Sequence, residues 1–288
     1  MNILKALFVA ACVAATSTAA RADEIVLRAD APIVDVTING KPARMLVDTF
    51  LPDMMVLNPD TQTRLGVRPV PMLNGRAVFD DASVRAHIAR PRIVFANGKS
   101  SRALTGLFGA PWSGIAGVDG AMGPGVLPYD RVRIILRDGA GGTVRTHRLP
   151  DPEAWMFDSP LAGETARVSF RPSMQESMLN RAAARHLDER RLLALTGAVE
   201  RRDFFLGLST TIQPATTDER VAGYAIGAVI ARTDAPLVGA EDVDVIRVTA
   251  DAGRPQQLTV TLGRAALAGC YEMIWERASG TLSLRCDY

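Results

Sequence analysis

One acid in this chain stands where a reaction could use it. Asp48 follows the largely apolar segment Ala43-Arg44-Met45-Leu46-Val47 and is followed by Thr49 and Phe50. A carboxylate placed where a strand runs out is a common location for a site residue, and the chemistry open to it is proton transfer. Other chemistries have less to work with. The histidines are His87, His147 and His186, with no paired spacing that makes a metal site. His186 lies in an Arg-rich helical stretch and reads as a surface or packing residue. Trp112-Ser113-Gly114 lacks the first glycine of a serine nucleophile elbow, and no phosphate-loop lysine follows Gly120 to Gly125. Met54, Met55 and Trp275 fit strand-core packing better than a cofactor contact.

The elements that must position Asp48 are legible. Val34, Val36 and Ile38 alternate as on one face of a strand, Asn39-Gly40 is a strong hairpin turn, and the return strand from Ala43 to Val47 delivers Asp48 at its end. Met54 to Leu57 is a second apolar strand. It leads into a two-turn helix with Asn58 able to cap, Pro59 in the first helical position and Gly66 as the left-handed stop. Further strands are expected over Ile88 to Phe95, Leu104 to Phe108 and Tyr129 to Leu136. An extra helix is expected from Glu189 to Arg202, with Leu192, Leu193, Leu195 and Val199 mostly on one face.

Leu46-Val47-Asp48-Thr49, set in this order of strand, turn, strand and helix, resembles the active-site segment of the retropepsin-like and pepsin-like aspartic peptidases. Phe50 stands where that family has glycine. The resemblance implies an all-β fold with short helices, bilobal and pepsin-like, each lobe retropepsin-like. It implies Asp48 as the first catalytic carboxylate and Thr49 as the hydroxyl that braces the two active-site loops. The segment around Asn74-Gly75 takes the place of the family's flap over the substrate, although its Asp80-Asp81 tip fits a plain surface loop equally well. Ile115-Ala116-Gly117-Val118-Asp119-Gly120 takes the place of the apolar-apolar-Gly element that closes each lobe, where glycine permits close backbone approach.

The second half repeats the first loosely. Leu179-Asn180 before Arg181 parallels Leu57-Asn58 before Pro59, and Val260-Thr261-Leu262-Gly263 parallels the closing element. Aspartic proteolysis needs two carboxylates sharing one proton. Aligning the two Leu-Asn pairs sets Phe170-Arg171-Pro172 opposite Asp48-Thr49-Phe50, and that place holds no acid; Asp158 falls too early and Glu176 too late.

Lys5, the apolar run Ala6 to Ala15 and Ala20-Arg21-Ala22 read as a signal peptide over residues 1–22, with a periplasmic or secreted chain starting at Asp23. The Gly-rich stretch from Asp138 to Gly142 and Pro150-Asp151-Pro152 divide the remainder into lobes over 23–150 and 151–288. Removing Lys5 and Arg21 leaves 31 basic against 31 acidic residues, which gives no reason to expect a nucleic-acid partner. No later stretch is long and apolar enough to span a membrane. Cys270 and Cys286, the even pair left after Cys12 departs, are expected to form one disulfide.

Two functions fit these features. One is a degenerate aspartic peptidase that keeps the interlobe cleft to bind a peptide or another extended ligand. The alternative is an active aspartic endopeptidase in which Asp48 works with an acid recruited from elsewhere or from a homodimer partner. Neither implies a cofactor or a metal, and the oligomeric state stays open. Intact-mass measurement of the protein recovered from the cell envelope should give a chain starting at Asp23; a chain retaining Met1 contradicts the cleavage expected here.

Overall fold

Asn39 and Gly40 both take positive φ, 51° and 80°, and turn the chain between the antiparallel strands Ile33–Ile38 and Lys41–Val47. That hairpin anchors the first of three sheets in a computed structural model, which describes residues 23–79, 82–112, 116–232 and 257–287. Residues 1–22, including the proposed cleavage site, and the tip Asp80-Asp81 lie outside the described residues.

The first sheet has nine strands among the described residues and the second has eight. In each, one short strand is inserted between two neighbours that are close in sequence. Gly120–Met122 runs parallel to Lys41–Val47 on one side and antiparallel to Met54–Leu57 on the other. Leu258–Gly263 does the same between Glu164–Arg171 and Ser177–Leu179. After each inserted strand comes a short 3-10 turn, Pro124–Val126 or Arg264–Leu267, and then a strand of the third, five-stranded sheet. Those two strands, Arg131–Ile135 and Cys270–Glu276, pair with each other antiparallel. The chain is therefore all-β and bilobal, with matching halves joined through a shared sheet. It has two short α-helices among the described residues, Pro59–Leu65 and Arg181–Glu189.

Three sequence expectations need correction. The element that closes the first lobe is Gly120–Met122 with Gly123, not Ile115-Ala116-Gly117. The argument from close approach holds, but at other glycines: a Cβ on Gly120 would meet the Val56 carbonyl oxygen, and one on Gly123 that of Leu51. Gly117 instead takes a left-handed φ of 79° in a turn, and Ile115 lies outside the described residues. The extra helix over Glu189 to Arg202 does not form. The helix ends at Glu189, Arg191 takes φ 60°, and the chain then joins the long strand Leu208–Val221 through Ala194–Leu195 and Glu200–Phe205. That strand offers backbone partners, and Leu195 and Val199 remain half-exposed. Finally, Asn58 occupies the cap position without capping. Its amide donates to the Val118 carbonyl and its oxygen accepts from the Trp112 N–H, so it ties the helix start to the neighbouring loops. Asn180, its counterpart, caps through Ala183 and also holds Thr259 and Gln257.

The core extends from both lobes into the shared sheet, with Trp155 and Trp275 at 5.6 Å and both fully buried. Cys270 and Cys286 face each other on paired strands and are disulfide-bonded across 16 residues of sequence, as expected. By loop-closure entropy, such a bond contributes roughly 3 kcal/mol. His147, on the edge strand Thr143–Arg148, stacks on Phe157 at 4.2 Å and meets the Tyr224 hydroxyl at 3.2 Å, joining the shared sheet to the second lobe. Burial, with a smaller push from Arg145, lowers its pKa from 6.5 to about 4. The unfolded chain thus takes up a proton near pH 6.5 that the folded chain refuses until near pH 4, so the stability this group contributes above pH 6.5 is lost as pH falls towards 4. His147→Phe keeps the ring stack and cannot charge. Urea midpoints recorded across that interval should fall less steeply for the variant than for the parent; parallel curves would count against this role.

Candidate functional site

Val47 and Asp48 emerge from the first sheet beside the closing strand: the Asp48 N–H donates to the Met122 carbonyl at 2.9 Å. The closing strand is itself held in register by Asp119. Its carboxylate accepts from the Arg44 N–H at 2.9 Å, the Thr61 hydroxyl at 3.1 Å and Arg64 at 2.6 Å. Burial opposes the ionised form of Asp119, yet the N–H of Arg44 and the Arg64 and Thr61 contacts outweigh it and leave the pKa below the usual value. Strand, closing strand and helix are thereby fixed around the turn that carries Asp48.

Asp48 is 1% exposed. One carboxylate oxygen accepts from the Phe50 N–H at 3.0 Å; the other accepts from Arg171 at 2.6 Å. Arg171 is itself buried and comes from the end of Glu164–Arg171 in the other lobe. Its second guanidinium nitrogen lies 3.3 Å from the Met174 sulfur, and its Nε has no hydrogen-bond partner among the described residues. Thr49 reaches across the same junction, its hydroxyl donating to the Phe170 carbonyl at 2.7 Å. Two adjacent residues of one lobe thus bind two adjacent residues of the other.

Arg171 occupies the position in the second lobe that Asp48 occupies in the first. Asp48 follows Val47, which pairs with Met122 just before Gly123; Arg171 follows Phe170, which pairs with Leu262 just before Gly263. Aligning the Leu-Asn pairs misses this match by one residue, because the loop after Arg171 is one residue shorter than the loop after Asp48. Counting back from the two closing glycines finds it. Asp158 ion-pairs with Arg167 and Glu176 with Arg202, and no second carboxylate contacts Asp48 among the described residues.

Among solved structures, the chain is similar to an aspartic proteinase from Irpex lacteus. The match has a TM-score of 0.45 and 9% identity, and covers 90% of this chain and 95% of that one. No family model and no curated protein matches. So weak a likeness carries no chemistry, and the site must be read from its own residues.

Phe50 does not strain the turn, since it takes no positive φ. Its ring lies 4.7 Å from Phe205 and 6.4 Å from Trp112, with the Arg171 guanidinium 5.3 Å from its centroid. Phe205 stacks on Trp112 at 4.8 Å. It sits at the end of the hairpin formed by Glu200–Phe205 and Leu208–Val221, whose Phe205, Leu206 and Leu208 share one buried cluster with Leu46, Val56, Ala86 and Phe108 of the first lobe. The second lobe therefore fills part of its own interlobe cleft. About 220 Å³ remains, bordered by Asp48, Arg171, Glu176, Arg202 and Asp203. The segment around Asn74-Gly75 is a hairpin, Asn74–Phe79 with Ala82–Ala89, and its Ala77, Val84 and Ile88 pack on this same cluster. Sequence reasoning missed Trp112 and Phe205. The apolar run Phe204-Phe205-Leu206 follows directly on the segment whose spacing reads as helical.

A buried ion pair adds little net stability, but removing one partner leaves an unpaired charge and costs about 3–5 kcal/mol. Arg171→Met and Asp48→Leu should each destabilise the chain by roughly that amount. The double variant should cost at least about 2 kcal/mol less than the sum, measured by urea unfolding. Additive losses would show that the two residues do not act as a pair.

Proposed function

We propose that this chain is a non-proteolytic relative of the aspartic peptidases that binds a peptide or another extended ligand in what remains of its interlobe cleft. The observation that carries the reading is Arg171, bonded to Asp48 at 2.6 Å from the place where a second carboxylate would stand. Peptide hydrolysis by this class uses two carboxylates that share a proton, one accepting from water while the other donates to the scissile carbonyl. Arginine does neither at ordinary pH: it stays charged, offers only donors, and here engages the oxygen that would accept water's proton.

The Thr49 contact supports keeping the architecture while losing the reaction. The hydroxyl ties the two turns together, so the junction serves as a mechanical joint around an inert pair. The alternative, Asp48 working with an acid of a second copy, has little room. Asp48 is buried and faced by its own second lobe. An extended ligand suits the site because strand ends and the Asn74 to Ala89 hairpin offer backbone hydrogen bonds beside the cleft. Glu176, Arg202 and Asp203 at its border would select polar side chains. The division into lobes over 23–150 and 151–288, and export to the periplasm or beyond, belong to the same proposal.

The test is incubation of the processed protein with a mixed peptide library between mildly acidic and neutral pH, with cleavage and retention both read by mass spectrometry. The parent should retain peptides and cut none, and Asp48→Ala should likewise cut none. Cleavage by the parent that disappears in Asp48→Ala would instead establish the active endopeptidase.

A further inference from the structure

The charge of this chain is unevenly spread. Residues 61–105 hold eight lysines and arginines against two acids, Asp80 and Asp81, whereas the whole chain has a formal net charge of only +2. Arg64 and Lys99 in this stretch have carboxylate partners, Asp119 and Asp23. Arg68, Arg76, Arg85 and Arg90 are exposed and form no ion pair among the described residues. Arg76 and Arg85 even stand directly opposite each other on paired strands, an arrangement that is unfavourable unless something else neutralises it.

An apolar turn is fastened to the hairpin that carries Arg76 and Arg85. Val70-Pro71-Met72-Leu73 is a tight turn closed by the Leu73 N–H on the Val70 carbonyl at 3.2 Å. It is fastened to the hairpin through Ile88, which bonds both Val70 and Leu73. Met72 takes φ 62° and is 95% exposed, while Val70 and Leu73 are 39% and 38% exposed. A proline followed by a residue at positive φ is the type II pattern, and glycine or asparagine is what that second position favours. A methionine there bears backbone strain and is 95% exposed, so it gains almost nothing from its own chain and is free to make a contact outside it. Arg68 and Arg76 lie four residues to either side of it, and Arg90 lies two beyond Ile88.

We infer that this face docks on the surface of an anionic phospholipid bilayer, Met72 and its neighbours entering the boundary of the acyl chains while the arginines bind headgroup phosphates. Unbranched, flexible methionine suits a fluid apolar layer, and guanidinium groups match phosphate oxygens in paired hydrogen bonds. An exposed apolar tip with arginines close to it along the chain is a combination that binds reversibly at a membrane interface. The inference does not depend on the proposed peptide binding. A nucleic acid or an acidic polypeptide would satisfy the arginines but leave Met72 without a role, so Met72 discriminates between these partners.

The experiment is flotation of the chain from Asp23 with vesicles of phosphatidylcholine, alone or mixed with phosphatidylglycerol. Starting at Asp23 keeps the apolar N-terminal run from contributing. The chain should float with the mixed vesicles, not with phosphatidylcholine alone, and should be released by high salt. Arg76→Glu combined with Arg85→Glu should weaken partitioning by roughly tenfold or more. Met72→Gly should weaken it about fivefold while raising Tm by about 2 °C, because glycine relieves the strained φ; a purely structural methionine would not separate the two effects. Failure to float with mixed vesicles overturns the inference. So does flotation unaffected by Met72→Gly, or binding to double-stranded DNA or polyglutamate with the same arginine dependence and no preference for vesicles.

Discussion

A carboxylate taken out of water must find partners, and the whole junction between the lobes is organised by which partners Asp48 finds. One oxygen is satisfied within its own turn, by the Phe50 N–H; the other is satisfied only from across the junction, by Arg171. The first contact fixes the turn and the second fixes the lobes. Thr49 adds a neutral hydrogen bond to Phe170 beside the charged one. Because both sides of this junction are anchored to closing strands that cannot accept a side chain at Gly123 or Gly263, neither turn can slide to evade the other.

With an arginine opposite Asp48, other features become compatible with one another. A site for hydrolysis needs an open cleft and a slim turn, whereas a paired Asp48 needs neither. The Phe50 ring can stand over the guanidinium, Phe205 and Trp112 can stack beside it, and the second lobe can place its hairpin where a longer cleft would run. Apolar burial of this kind stabilises the interlobe contact far more than the ion pair does, since the pair itself barely offsets its own desolvation. The pair instead specifies the alignment, and the aromatic cluster holds it.

Much of this was legible in the residues. Asn39-Gly40, the apolar run into Asp48, and the Pro59 to Gly66 helix are set by local chemistry and form where local chemistry puts them. The cysteine pair followed from parity and strand alternation. The failures came where a long-range partner overruled a local preference. Leu192, Leu193, Leu195 and Val199 have helical spacing, but the backbone groups offered by Leu208–Val221 drew that segment into a sheet. The close approach falls at Gly120 and Gly123, which face the crowded backbone, and not at Gly117, a difference visible only once the neighbouring strands are in place. In the sequence Arg171 shows only that an acid is absent; that a positive charge faces Asp48 follows from the register counted from Gly263.

Electron density around Asp48, from crystals of the chain from Asp23 grown at neutral and at mildly acidic pH, tests the central claim most directly. The account predicts the Arg171 guanidinium on the Asp48 carboxylate, and the Thr49 hydroxyl on the Phe170 carbonyl, under both conditions. Arg171 turned away, with a second carboxyl group facing Asp48 across a shared water, would contradict it.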